Sequence, residues 1–112
     1  MKELIKKTRI FARDRDWEQF HSPKNLAMAL SVEVAEIVEH FQWLSQAESN
    51  SLEPAKLAAV KEEIADVMIY LTRLADRLGI DPVQAAEEKM QLNEKKYPVD
   101  KAKGRAAKYT EF

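Results

Sequence analysis

From Leu26 onward the apolar residues Leu26, Leu30, Val34, Ile37, Phe41 and Leu44 recur at steps of three and four, the repeat of one face of an α-helix. A broader stripe follows at Leu57, Val60, Ile64, Val67, Met68, Leu71, Leu74 and Leu78, wide enough to suit the centre of a four-helix bundle. Proline marks where helices begin. Ser22-Pro23, Glu53-Pro54 and Asp81-Pro82 each put proline in a first turn that tolerates it, with Ser22 and Asp81 as good N-caps, while Gly79 stops an apolar run. The pattern predicts four helices, at about 2–15, 23–44, 54–78 and 82–96, in one all-α domain over 1–112. SQAESNS reads as a short polar connection, and the lysine-rich tail over 97–112 has no clear periodicity.

Composition narrows the possible functions. With 112 residues the chain can bury a modest core, and oligomerisation would help it. Only two glycines favour helices. Eighteen basic residues against nineteen acidic ones predict no duplex nucleic acid as partner, so any charge-based function is local. The absence of cysteine removes disulfides, thiolate catalysis and thiolate zinc sites, and suits a cytoplasmic protein. MKELIKKTRIF is broken by charge every few positions, so neither a signal-peptide core nor a membrane partner is expected.

Candidate chemistry lies in the carboxylates beside the two long stripes. On a wheel of about 100° per residue the second helix's seam covers roughly 80° to 160°, with Glu33 near 60°, Glu36 near 0° and Glu39 near 300°. Glu33 and Glu36 therefore flank the seam, and Glu39 is expected in solvent. In the third helix the stripe covers roughly 200° to 320°, Glu63 lies near 180° and Asp66 near 120°; Glu62 points elsewhere. Each helix thus carries an i, i+3 acidic pair on the border of its stripe. If those borders face each other, four carboxylates converge, and such a cluster requires a cation or raised pKa values. Oxygen donors without cysteine select Mg²⁺, or Mn²⁺. A di-iron bundle would need Glu-x-x-His, but the residue three before His40 is Ile37. Solvated helix edges remain the alternative on periodicity alone.

Glu33-x-x-Glu36 with Glu63-x-x-Asp66 resembles the MazG-like, all-α nucleoside triphosphate pyrophosphohydrolases. RDWEQFHSPKNL, EHFQW, EEIADVMIYL, then KM, N and KYP, and finally KYTEF are similar to their dCTP pyrophosphatase branch, from about Arg15 to the C-terminus. The resemblance implies a Mg²⁺-dependent enzyme that cleaves a (deoxy)nucleoside triphosphate between the α- and β-phosphates, working as a homotetramer. It implies Glu33, Glu36, Glu63 and Asp66 as catalytic metal ligands, and Trp17, Trp43, Tyr70, Lys89 and Asn93 around the nucleotide. Where that branch can place a histidine near the base, this chain has Thr8.

Helical geometry is compatible with that layout. An uninterrupted second helix would place Trp43 on the Glu33/Glu36 side, about 10 Å beyond Glu36. Tyr70 follows Asp66 by one turn, and Lys89 and Asn93 lie i, i+4 beside Ala86 and Met90 in the fourth helix. His21, at a helix entrance, reads either as a capping or packing residue or as a base contact. The expected reaction converts dCTP, or a modified dCTP, to the monophosphate and pyrophosphate. The alternatives are a broad-specificity NTP or dUTP pyrophosphohydrolase and a non-catalytic helical oligomerisation module.

Overall fold

A computed structural model describes residues 1–112 and contains helices and no strands. The helices are α1 (Lys2–Asp14), α2 (Pro23–Phe41), α3 (Gln46–Ser49), α4 (Pro54–Arg77), α5 (Pro82–Lys96) and α6 (Val99–Ala102), with 3₁₀ turns at Glu18–Phe20 and Tyr109–Glu111. The expected caps form. Ser22 Oγ accepts from the Asn25 N–H at 3.2 Å, and Asp81 Oδ1 accepts from Val83 and Gln84 at 3.0 and 3.1 Å. Glu53 makes no side-chain cap, so Pro54 alone marks that start. Gly79, at φ +69°, ends the run after α4 in the left-handed region that glycine enters without strain.

Two expectations are corrected, the end of the second helix and the structureless polar connection after it. The second helix stops at Phe41 and not at residue 44: past the helical cap residue Gln42, the Leu44 N–H turns back to Phe41 O at 2.9 Å in a tighter, 3₁₀-type turn. SQAESNS holds the short helix α3, because Ser45 and Glu48 form a reciprocal capping box. The tail is also folded. Tyr97 meets Tyr109 and Phe112 edge-on at 6.0 and 5.7 Å, and Lys96 and Arg105 lie over the rings of Tyr109 and Phe112.

By its contacts the chain divides into two compact units, Met1–Ile80 and Asp81–Phe112. In the first, α2 and α1 both pack on α4. The core there is small: Ala12, Leu26, Val60, Thr72, Arg73 and Ala75 are buried. Much of the α4 stripe is not. Leu57, Ile64, Met68, Leu71 and Leu78 are all exposed in the single chain, as are Val34 and Val38 on α2. The stripe expected to line a bundle centre therefore meets other residues of this chain along only part of its width.

Candidate functional site

The packing of α2 on α4 brings the two acidic borders together. Glu33, Glu36 and Glu63 each offer a carboxylate oxygen, and these three oxygens lie within 4.8 Å of one another. All three residues are half-buried, whereas Glu39 and Glu62 are exposed, as their phases on the wheel require. Asp66, one turn beyond Glu63, is more exposed and lies outside that tight trio, although its charge acts on both Glu33 and Glu63. The four-carboxylate convergence is thus a close group of three with a fourth at its edge.

The cluster is electrostatically unsatisfied. The neighbouring Glu36 carboxyl, desolvation and the charges of Glu33 and Asp66 push Glu63 up to about 7. Desolvation first, and then Glu36 and Asp66, raise Glu33 as well. Glu33 Oε2 and Glu63 Oε2 are buried without a hydrogen-bond partner. Buried carboxylate oxygens that are both unpaired and converging fit a hard divalent cation, which would supply the missing positive charge. His40, one turn after Glu36, places Nε2 3.9 Å from Glu63 Oε1. The i, i+4 spacing of His40 from Glu36 is the signal in the sequence that it faces the cluster.

Beside the acids, a cleft of about 330 Å³ is lined by Asp66, Tyr70, Trp17, His21, Thr8 and Phe11, among others. Tyr70 and Asp66 share this wall because they lie one turn apart on α4. The loop after α1 supplies Trp17, whose N–H donates to Ala12 O at 2.8 Å. Its ring packs edge-on against Phe11 and His21, at 5.7 and 6.3 Å. Asp16 makes that turn at φ 55°, a left-handed conformation aspartate tolerates better than most residues. Thr8 turns its hydroxyl proton to Ile5 O at 2.9 Å.

Trp43 is not part of this wall; it stands 87% exposed just past the end of α2. Lys89 and Asn93 lie one turn apart on α5 in the second unit, Lys89 exposed and Asn93 half-buried. No helix is long and apolar enough to cross a membrane.

A helical fold that sets a cation-fitted carboxylate cluster beside an aromatic cleft defines a class of candidate metal-dependent proteins acting on a small ligand. The MazG-like family model matches residues 28–112, and the chain belongs to the MazG-like family. It is 48% identical over 104 residues to dCTP pyrophosphatase 1 of Rattus norvegicus, covering 91% of this chain and 61% of that protein. The human dCTP pyrophosphatase 1 is 46% identical over 104 residues, with 91% and 61% covered. The chain thus spans about 61% of the length of these curated relatives. The crystal structure of a pyrophosphatase from Archaeoglobus fulgidus superposes with a TM-score of 0.83 at 46% identity, covering 88% of this chain and 92% of that one.

Proposed function

We propose that the protein is a Mg²⁺-dependent nucleoside triphosphate pyrophosphohydrolase that converts dCTP, or a modified dCTP, to the monophosphate and pyrophosphate. The observation that carries the reading is the trio Glu33, Glu36 and Glu63, with two buried oxygens that no group of the protein satisfies. The names of its relatives, dCTP pyrophosphatase 1 and a pyrophosphatase, point to the reaction. The whole chain acts as one domain on this reading, since the family match runs from the second helix to the C-terminus.

Glu33, Glu36, Glu63 and Asp66 would hold the cation, with Mn²⁺ as a substitute for Mg²⁺. When bound, it supplies charge neutralisation at phosphate oxygens and a lowered pKa for water. The side chains do the rest. The cleft lined by Trp17, His21 and Tyr70 takes the base and sugar, and Asp66, which borders both regions, marks where the phosphates leave the cleft for the acids. A carboxyl that titrates near neutrality, as Glu63 does before a cation binds, is suited to hold a proton close to the reacting phosphate. On α5, the Lys89 ammonium and Asn93 amide are of the kinds that bind phosphate and sugar hydroxyl. Trp43 is assigned an outer contact.

The apolar residues left exposed on α2 and α4 support assembly into a homotetramer, and the cysteine-free composition suits the cytoplasm. A panel of dCTP, 5-methyl-dCTP, dUTP, CTP and ATP, assayed with Mg²⁺ and analysed for both products, tests the reading. The highest kcat/KM is expected for dCTP or its methylated form. Equal rates on all five would replace it with a broad-specificity enzyme, and no turnover of any would refute it.

A further inference from the structure

Two arginines one turn apart on α4 hold the same residue. Arg77 Nε donates to the main-chain O of His21 at 3.1 Å, and Arg73 Nε donates to His21 Nδ1 at 3.2 Å. Arg73 is itself buried, an unusual place for a guanidinium, and Asp76 holds its other end, with Arg73 Nη1 3.4 Å from Asp76 Oδ2. Asp76 is fixed in turn by a two-pronged contact from Arg9 of α1, one prong being Arg9 Nε to Asp76 Oδ2 at 2.8 Å. A relay of fixed groups thus runs from α1 through α4 to the imidazole of His21, which lines the cleft.

This relay has a chemical consequence. A guanidinium has donors and no acceptor, so the ring nitrogen facing Arg73 must present a lone pair. The single proton of a neutral imidazole then belongs on Nε2. We propose that Arg73 is a positioning residue that fixes His21 as the neutral Nε2–H tautomer, and that His21 uses this N–H to read a hydrogen-bond acceptor on the nucleobase in the cleft. The second half rests on the nucleotide reading above; the first half does not.

The surroundings of His21 keep the ring uncharged. Burial lowers its pKa, Arg73 and Arg77 from α4 add to that, and Glu18 from the 3₁₀ turn opposes them. Trp17, edge-on to the ring, carries no charge. An N–H donor of this kind finds an acceptor on every pyrimidine, whose O2 carbonyl does not depend on the substituent at C4 or C5. With O2 as its acceptor, and not N3, which accepts in cytosine but donates in uracil, His21 would contribute to binding the base and not to choosing among pyrimidines.

Imidazole-¹⁵N NMR on the full chain, without nucleotide, reads the tautomer directly. The expected spectrum has a protonated Nε2 and a bare Nδ1 for His21 throughout the neutral range. In Arg73→Met, which keeps bulk and removes the donor, the ring should populate both tautomers and titrate at higher pH; Arg73→Lys, which restores an N–H, should move it back. The KM for both dCTP and dUTP should rise about twofold in Arg73→Met, as the competent tautomer is diluted, and about three- to tenfold in His21→Phe, which loses the hydrogen bond itself, with kcat nearly unchanged in both. Should Arg73→Met fail to fold, His21→Phe, at a half-buried position, still tests the base contact, and Arg73→Lys tests the tautomer.

A charged or Nδ1-protonated His21 in an active wild type overturns the positioning role. Unchanged KM in the variants overturns the base contact. A wild type with the locked ring but no pyrophosphohydrolase activity overturns the nucleotide reading, and the base contact with it, while the tautomer assignment stands on the spectrum.

Discussion

Glu63 of α4 and Glu36 of α2 bring carboxylate oxygens within 4.8 Å of each other, and the Glu36 carboxyl is the first cause of the rise in Glu63 to about 7. The sign of the resulting pH dependence is fixed. A carboxyl that titrates at 4.5 when unperturbed and near 7 when folded adds stability at low pH, and that stability is lost as pH rises through neutrality. His21, lowered on folding, works in the opposite direction below its ordinary pKa, so the Glu63 effect is read best as a difference between proteins. Without metal, Glu63→Gln should gain on the wild type in stability as pH rises from 4.5 to about 7, and the difference should level off above that. Mg²⁺ should raise the wild-type melting temperature more at the upper pH, and should raise that of Glu63→Gln little. A Glu63→Gln protein that tracks the wild type at every pH, with and without Mg²⁺, would contradict the clustering.

Trp17 and Trp43 separate in the structure, one lining the cleft and the other 87% exposed. Stacking of an aromatic ring on a base is worth roughly 1–3 kcal/mol. Trp17→Ala should therefore raise KM for dCTP by about tenfold or more, with Mg²⁺ binding intact. Trp43→Ala should raise it less. The reverse order in steady-state kinetics would move the base out of this cleft.

These two tryptophans also show what the sequence could and could not convey. The caps at Ser22 and Asp81 and the acidic borders of two stripes were legible, because each depends on residues within a turn or two. The end of α2 was not, because Phe41 and Leu44 continue the apolar spacing while the backbone has already turned to begin the Ser45 capping box. That box was itself readable, as Ser-x-x-Glu. The support of His21 lay out of reach: Arg9 meets Asp76 across 67 residues and Arg73 meets His21 across 52, contacts that only the packing onto α4 creates.

Thr72 is fully buried and its hydroxyl has no partner. Val has nearly the same shape without the unpaired group, so Thr72→Val should leave stability unchanged or raise it by about 1 kcal/mol. Chemical denaturation measures this. A loss of similar size would mean that the hydroxyl is bonded in solution.

The proposed tetramer would cover Leu57, Ile64, Met68, Leu71 and Leu78, an apolar face of α4 that the single chain leaves exposed. Sedimentation at micromolar concentration should give a species close to four chains of 12.9 kDa. Ile64→Glu should dissociate it. A wild type that sediments as a monomer would contradict the tetramer.

The most direct measurement of the central claim is the yield of dCMP and pyrophosphate from dCTP, with Mg²⁺ and with chelator, for the wild type, Glu36→Gln, Asp66→Asn and Glu39→Gln. Glu36→Gln and Asp66→Asn each remove a charged ligand at nearly constant volume, whereas Glu39 lies exposed on the same helix as Glu36. The expected result is equimolar dCMP and pyrophosphate from the wild type and Glu39→Gln with Mg²⁺ only, and almost none from the other two. Turnover that survives chelation, or that falls equally in all three variants, would contradict a metal-dependent site built on these carboxylates.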